Sequence, residues 1–379
     1  MKFSVLTIAG IALVLTLVVL FIVIINYQEP VNIKMDSMLS ESVELMKIPE
    51  INKTQIIRDA SIDINNPESC KTCHSSIYNE WYESNHRNAH IKPLYRTFAF
   101  FKPDGTPGIP LCENCHISES TLEVAPLAQP ISRRDAGSKI RSQDGIDCAS
   151  CHRRHGQIVG TKGSFQGCFA VGDKFLGTSK YCGGCHISFL PNTMHEYDEW
   201  AANPAKISVK KHCNNCHMPD VSGSSTDGVG THKSHRFFGA YDSTMLKKAF
   251  DFEVKFSIID GEAYFIVKII NKGTGHHFPT GIAKRRVKLE VTITDNAGSI
   301  LGDKIIYLQK PPRFSDSYGT QVPDRESRDF HFQFDLSKNE SKASLKITYM
   351  HFPDETDDKT ILLVSRTFAV PKEIIVENH

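Results

Sequence analysis

The chain has 379 residues, with 44 Lys and Arg against 43 Asp and Glu and a formal net charge of +1. That balance excludes the strongly basic surface on which nucleic-acid binding depends. The length allows two domains with accessory segments.

From the N-terminus, no charged side chain occurs between Phe3 and Gln28, and Ile, Leu and Val dominate as far as Ile25. As a helix, the stretch Phe3–Ile25 would be about 34 Å long, enough for a bilayer core. Residues 1–27 therefore read as a transmembrane signal anchor. Lys2 precedes the apolar run, which places the short N-terminus in the cytoplasm and the rest outside. A cleaved signal peptide is the alternative, but no small-x-small site follows the run. Residues 28–66 read as a membrane-proximal spacer with a short helix over Met35–Lys47.

Residues 67–249 hold five Cys-x-x-Cys-His units: Cys70-Cys73-His74, Cys112-Cys115-His116, Cys148-Cys151-His152, Cys182-Cys185-His186 and Cys213-Cys216-His217. Each reads as a covalent attachment site for haem c. The thiols form thioethers, and the adjacent histidine becomes the proximal iron ligand. Zinc and dithiol sites also use Cys-x-x-Cys pairs, but they do not need a histidine directly after each one. The units take ten of the 11 cysteines, leaving Cys168 as a buried or free thiol. The region reads as short helices and loops, with the porphyrins supplying the buried apolar mass. Its two tryptophans repeat a pattern, Asn79-Glu80-Trp81 and Asp198-Glu199-Trp200. Both are expected on helices that pack on a porphyrin, with coincidence as the plain alternative.

Five irons with two axial ligands each require five further donors, and 12 histidines lie outside the motifs. The distal candidates are His86, His235, His276, His195 and His212. His86 shares a helix face with His90. His235 has His232 as its alternative. His276 and His277 lie between glycines in a loop joining two predicted strands, so the second domain would clamp one haem. His155 ranks lower, His331 and His351 read as structural, and Met218 as a product of chain geometry. Bis-histidine ligation predicts low potentials.

Residues 250–379 change to period-two patterning. Strands are predicted at Phe252–Ile259, Tyr264–Asn271, Val287–Thr294, Ile300–Leu308, Asp329–Leu336, Leu345–Phe352 and Ile361–Val370. They imply an all-β immunoglobulin-like sandwich without an intersheet disulfide. The fold class expected for the whole chain is multidomain: a transmembrane helix, a mostly helical and loop pentahaem cytochrome domain, and this sandwich.

Trp81-x-x-Ser84-x-His86-x-x-Ala89 resembles an element of the superfamily that includes hydroxylamine oxidoreductase and its tetrahaem electron acceptor. Cys213-x-x-Cys216-His217-Met218-Pro219 with Ser234-His235-x-Phe237-x-Gly239 resembles that group and the pentahaem nitrite reductases. Gly275-His276-His277-Phe278-Pro279-Thr280-Gly281 is similar to loops opening β domains appended to such cytochromes. The resemblance implies a multihaem cytochrome. It departs from the nitrite reductases in having no Cys-x-x-Cys-Lys site, and from hydroxylamine oxidoreductases in haem number and in the lack of an assignable crosslinking tyrosine.

The expected function is an electron relay with five covalent haems, anchored in the membrane and facing the extracytoplasmic side. Its expected partners are redox proteins or a quinol-linked membrane donor, with a second copy of the chain as a further partner. The alternatives are an oxidoreductase acting on a small nitrogen or sulfur compound at one open-sided haem, for which His155, Arg153 and Arg154 could supply polar groups, and a subunit of a polymeric haem wire.

Overall fold

The computed structural model describes residues 66–89, 115–116, 145–154, 157–162, 170–187, 195–203, 211–223, 230–259, 262–282, 285–310, 319–335, 340–351, 360–369 and 375–377. The expected anchor (1–27), the spacer up to residue 65, Cys112, Cys168, His90 and His155 lie outside these residues.

Within the motif-bearing segment the helices are short. They run over Pro67–Lys71, Ser75–Tyr82, Cys148–His152, Ser179–Gly183, Glu196–Ala201 and Cys213–His217. Two of them begin with clear local caps. Asn66 accepts the Glu68 N–H at 3.0 Å before the first helix, where Pro67 occupies the opening turn. Asp147 and Ser150 form a reciprocal capping box on the third. Three short strands, β1 (Arg153–Arg154), β2 (Gln157–Gly160) and β3 (Val171–Gly172), form one small sheet; β4 (Asp220–Ser222) pairs with β5 (Thr231–Lys233).

The helix Ser243–Ala249, capped by Asp242, leads into the second region and buries Leu246 in its core. This region contains two four-stranded antiparallel sheets. One has the order β10-β7-β6-β13, from Ser327–Asp335, Glu262–Asn271, Phe250–Ile259 and Ile375–Glu377. The other has the order β12-β11-β8-β9, from Ile361–Ala369, Glu340–Met350, Arg286–Asp295 and Ile300–Gln309. Along β7 and β8, buried and partly exposed residues alternate almost without interruption. The pleat turns alternate side chains to one face, so Phe265, Val267 and Ile269 meet Leu289, Val291 and Ile293 in one core. Phe265 packs on Phe256 at 5.0 Å and on Phe368 of the other sheet at 5.9 Å.

The expected fold class is overturned. Strand outweighs helix, and among the described residues no helix is long and apolar enough to cross a membrane. The physical reason lies in the lengths. A Cys-x-x-Cys-His unit nucleates little more than one turn, and the Gly-, Pro- and Asn-rich chain around it lacks the apolar periodicity to extend a helix. The C-terminal alternation instead sustains strands of 9 to 11 residues.

Phe265→Ala is expected to cost about 3–5 kcal/mol, read as a lower urea midpoint for the β7 amides in hydrogen exchange. Ile259→Ala, at a 53% exposed position, should shift that midpoint little. Equal effects of the two would contradict this account of the core.

Candidate functional site

The histidines of three motifs face histidines brought from elsewhere in the chain. His152 stacks opposite His235 with ring centroids 6.1 Å apart and planes 28° apart. His217 stacks opposite His276 at 6.2 Å and 22°. His186 faces His86 at 6.1 Å and 62°. Direct stacking would bring rings closer. Two imidazoles that bind one first-row metal ion from opposite sides, at metal–nitrogen distances of ~2 Å, have centroids roughly 6 Å apart.

The hydrogen bonds of these rings fix their tautomers. A carbonyl oxygen can only accept, so a ring nitrogen bonded to it carries the proton. His152 Nδ1–H donates to the Val159 carbonyl at 2.7 Å, and His217 Nδ1–H to that of Phe238 at 2.5 Å. His235 donates to Lys233 at 2.7 Å, His276 to His277 at 3.0 Å and His116 to Ala89 at 3.1 Å. In each neutral ring the lone pair is then on Nε2, the nitrogen usually presented to a metal, and the donated bond raises its basicity. His86 differs: its Nδ1 is buried without a hydrogen-bond partner, and Phe237 packs on its ring at 4.1 Å.

Burial favours the neutral form of His86, His152, His217 and His235. His86 is pushed down to about 3, by burial first and then by His186, His235, His116 and His217. His235 is lowered to about 4 by burial and by His152, against the opposing pull of the Lys233 carbonyl. Burial also lowers His152 and His217. Nearby, burial pushes the Glu196 carboxyl up, but His186, Lys310 and Arg285 outweigh it and hold Glu196 below the usual carboxylate range.

The thiols bring motifs together as well. The Cys70 side chain is hydrogen-bonded to that of Cys148, Cys182 to that of Cys213, and Cys115 to that of Cys185. The Cys70 bond and burial raise the Cys148 thiol, the Cys213 bond and burial raise Cys182, and burial pushes Cys151 up to about 12. The Cys115 bond, in contrast, lowers the Cys185 thiol against the pull of burial. Among the described residues no group of three or more His, Cys, Asp or Glu forms a compact metal site. The residues present fit haem c: cysteine pairs for thioethers, and imidazoles opposed across an iron-sized gap. Cys73 and Cys216 are exposed at motif surfaces.

The remaining candidates have other settings. His74 precedes the helix Ser75–Tyr82 as its N-cap and lies near His152 and His235. His195 begins the helix Glu196–Ala201 with Nδ1 3.5 Å from the Asp198 carboxylate. His212 faces Ser179 and Trp200 rather than another imidazole. Its Nδ1 accepts the Ser179 backbone N–H at 3.2 Å, so the neutral ring carries its proton on Nε2, which is then no lone-pair donor. Both nitrogens of His232 are engaged, Nδ1 with the Gly223 carbonyl at 2.8 Å and Nε2 with Glu80 at 3.3 Å. His351 is buried and stacks on Tyr241 at 4.0 Å, and His331 is exposed on β10.

Close backbone approaches place two of the opposed rings. A Cβ on Gly145 would lie 2.4 Å from the His86 carbonyl oxygen, so only glycine lets this loop close on the His86 turn. Gly273 and Gly275 adopt φ of 92° and 91° in the loop that carries His276.

The architecture is that of a known fold. The crystal structure of a penta-heme cytochrome c552 from Thermochromatium tepidum superposes with a TM-score of 0.60 at 16% identity, covering 79% of this chain and 97% of that one. The chain thus shares its fold. The Northeast Structural Genomics Consortium target SoR45 matches at a TM-score of 0.19 and 14% identity, over 35% of this chain and 94% of its own. A β-glucuronidase from Parabacteroides merdae matches at 0.19 and 10%, over 45% and 21%. No family model and no curated relative matches the chain.

The buried imidazoles set a pH dependence. His86 and His235 have folded values of about 3 and about 4 against 6.5 unfolded. Below pH 6.5 the unfolded chain binds the extra protons, so this stabilisation is present above 6.5 and is lost as pH falls towards the folded values. The urea midpoint should be lower at about pH 5 than at about pH 7; an unchanged midpoint would contradict the neutral, buried assignment.

Proposed function

We propose that this chain is an extracytoplasmic multihaem c-type cytochrome that relays electrons through five covalently attached haems. The opposed imidazole pairs carry this reading, because each joins the histidine of a Cys-x-x-Cys-His motif to a distant histidine across an iron-sized gap. The five motifs and the fold shared with a penta-heme cytochrome support it. Export follows from the chemistry, since haem is attached to such motifs on the extracytoplasmic side.

Bound haem supplies a one-electron iron couple; the protein's part is binding, ligand orientation and burial. The cysteine pairs would hold each haem covalently. Contacts of Cys70 with Cys148, Cys182 with Cys213 and Cys115 with Cys185 would set haems attached at these motifs near one another. A relay needs such adjacency, because electrons then cross no wide protein gap. Where two imidazoles oppose each other, as at His152, His186 and His217, they would favour low potentials and leave no open position for a small molecule. Redox proteins or a quinol-linked donor are the partners this chemistry suits. The oxidoreductase reading would instead require one iron face open to a small nitrogen or sulfur compound.

Mass spectrometry of the holoprotein should find five haems. Carbon monoxide added to the reduced protein should leave its spectrum unchanged. Fewer haems would overturn the count, and a stoichiometric shift at one haem would replace the relay with an oxidoreductase working at an open iron.

A further inference from the structure

The two Glu-Trp dipeptides occupy equivalent positions in the structure. Trp81 Nε1–H donates to the carbonyl of Ile146 at 2.7 Å, and Trp200 Nε1–H to that of Lys211 at 3.2 Å. Ile146 is the second residue before Cys148, and Lys211 the second before Cys213. Each indole therefore holds the start of a motif helix at the same register. The first cysteines agree with this pairing, since Cys70 is hydrogen-bonded to Cys148 and Cys182 to Cys213.

The glutamates act on the opposite side of the same two gaps. Glu80 Oε2 accepts the backbone N–H of His235 at 2.8 Å, and His235 faces His152 of the motif held by Trp81. Glu199 Oε2 accepts the backbone N–H of His277 at 2.9 Å and the Thr280 hydroxyl at 3.0 Å. His277 follows His276, which faces His217 of the motif held by Trp200. On the other side of His276, the Gly275 N–H donates to Asp324 at 2.6 Å, and Asp324 also accepts from Asn203 at 2.6 Å. Asn203 lies just beyond the helix that carries Glu199. The backbone N–H groups of both neighbours of His276 are thus held by carboxylates, and both carboxylates tie it to the segment carrying Glu199.

We propose that Glu80-Trp81 and Glu199-Trp200 are two copies of one positioning device. Within each, the tryptophan sets the motif that supplies one axial histidine, and the glutamate sets the backbone of the segment that supplies the histidine opposite. Neither glutamate touches the iron site; each acts through the peptide of another residue. A carboxylate suits the task because its bonds to N–H donors are charge-assisted, and both are largely buried, with side chains 16% and 9% exposed. The inference rests on the haem reading of the motifs.

The test uses full-length holoprotein with Glu80→Ala, Glu199→Ala, Glu80→Asp, Glu199→Asp, Glu80→Gln and Glu199→Gln. Asp retains the charge but withdraws the acceptor by one methylene, while Gln keeps an acceptor oxygen in place. In the reduced state each Ala and Asp variant should gain one carbon-monoxide-reactive haem per chain over wild type, with a high-spin ferric signal in the oxidised state. The Gln variants should stay like wild type. If an Ala variant does not fold, the Asp and Gln pair decides. Asp variants with native haem content and no added carbon-monoxide-reactive haem would overturn the proposal. So would Gln variants that lose ligation as fully as Asp. Failure of the haem reading itself appears separately, as wild-type protein whose mass lacks the haems.

Discussion

The structure depends on holding two imidazoles opposite each other across a gap of fixed width, away from water. Left alone, such rings would stack closer or turn to other donors. The chain prevents both by donating Nδ1–H of His152, His217, His235 and His276 to backbone carbonyls, which fixes tautomer and ring orientation together. Burial then removes water as a competitor and keeps the rings uncharged.

This constraint explains why so small a helical segment needs the β domain. Helices of one or two turns cannot hold a distant ligand by their own rigidity. The sandwich has a continuous apolar core and can present a loop at a fixed place. His276 sits on that loop, between glycines with left-handed φ and under carboxylates from both regions. His86 and His235 lie in irregular chain and rely on close packing, through Gly145 and through Glu80. Phe237, with φ of 52°, packs on both His86 and His235, so one strained residue serves two gaps.

Legibility in the sequence followed the range of the interaction. Strand positions were readable because the pleat writes itself into adjacent residues: Val287, Leu289, Val291 and Ile293 alternate with polar residues and are all buried. The balance of the whole fold was not. Haem motifs announce a helix turn without its length, so the segment holding them was expected to be more helical than it is. His212 looked like a donor because it adjoins Cys213, yet its Nδ1 is used by the Ser179 N–H, which is close only in the folded chain. The repeated Glu-Trp pattern was visible, but its meaning required knowing that Ile146 and Lys211 lie beside the two indoles.

By itself the sequence determined the chemistry that is local to a few residues: five paired thiols, each with an imidazole next to it, and the alternation of the C-terminal strands. These need only the geometry of one turn or one pleat. The tertiary structure alone decided which distant histidine faces which motif, and which carboxylates hold the peptides beside it. Those pairings join residues up to 155 positions apart, where no local periodicity operates and only packing brings the groups together.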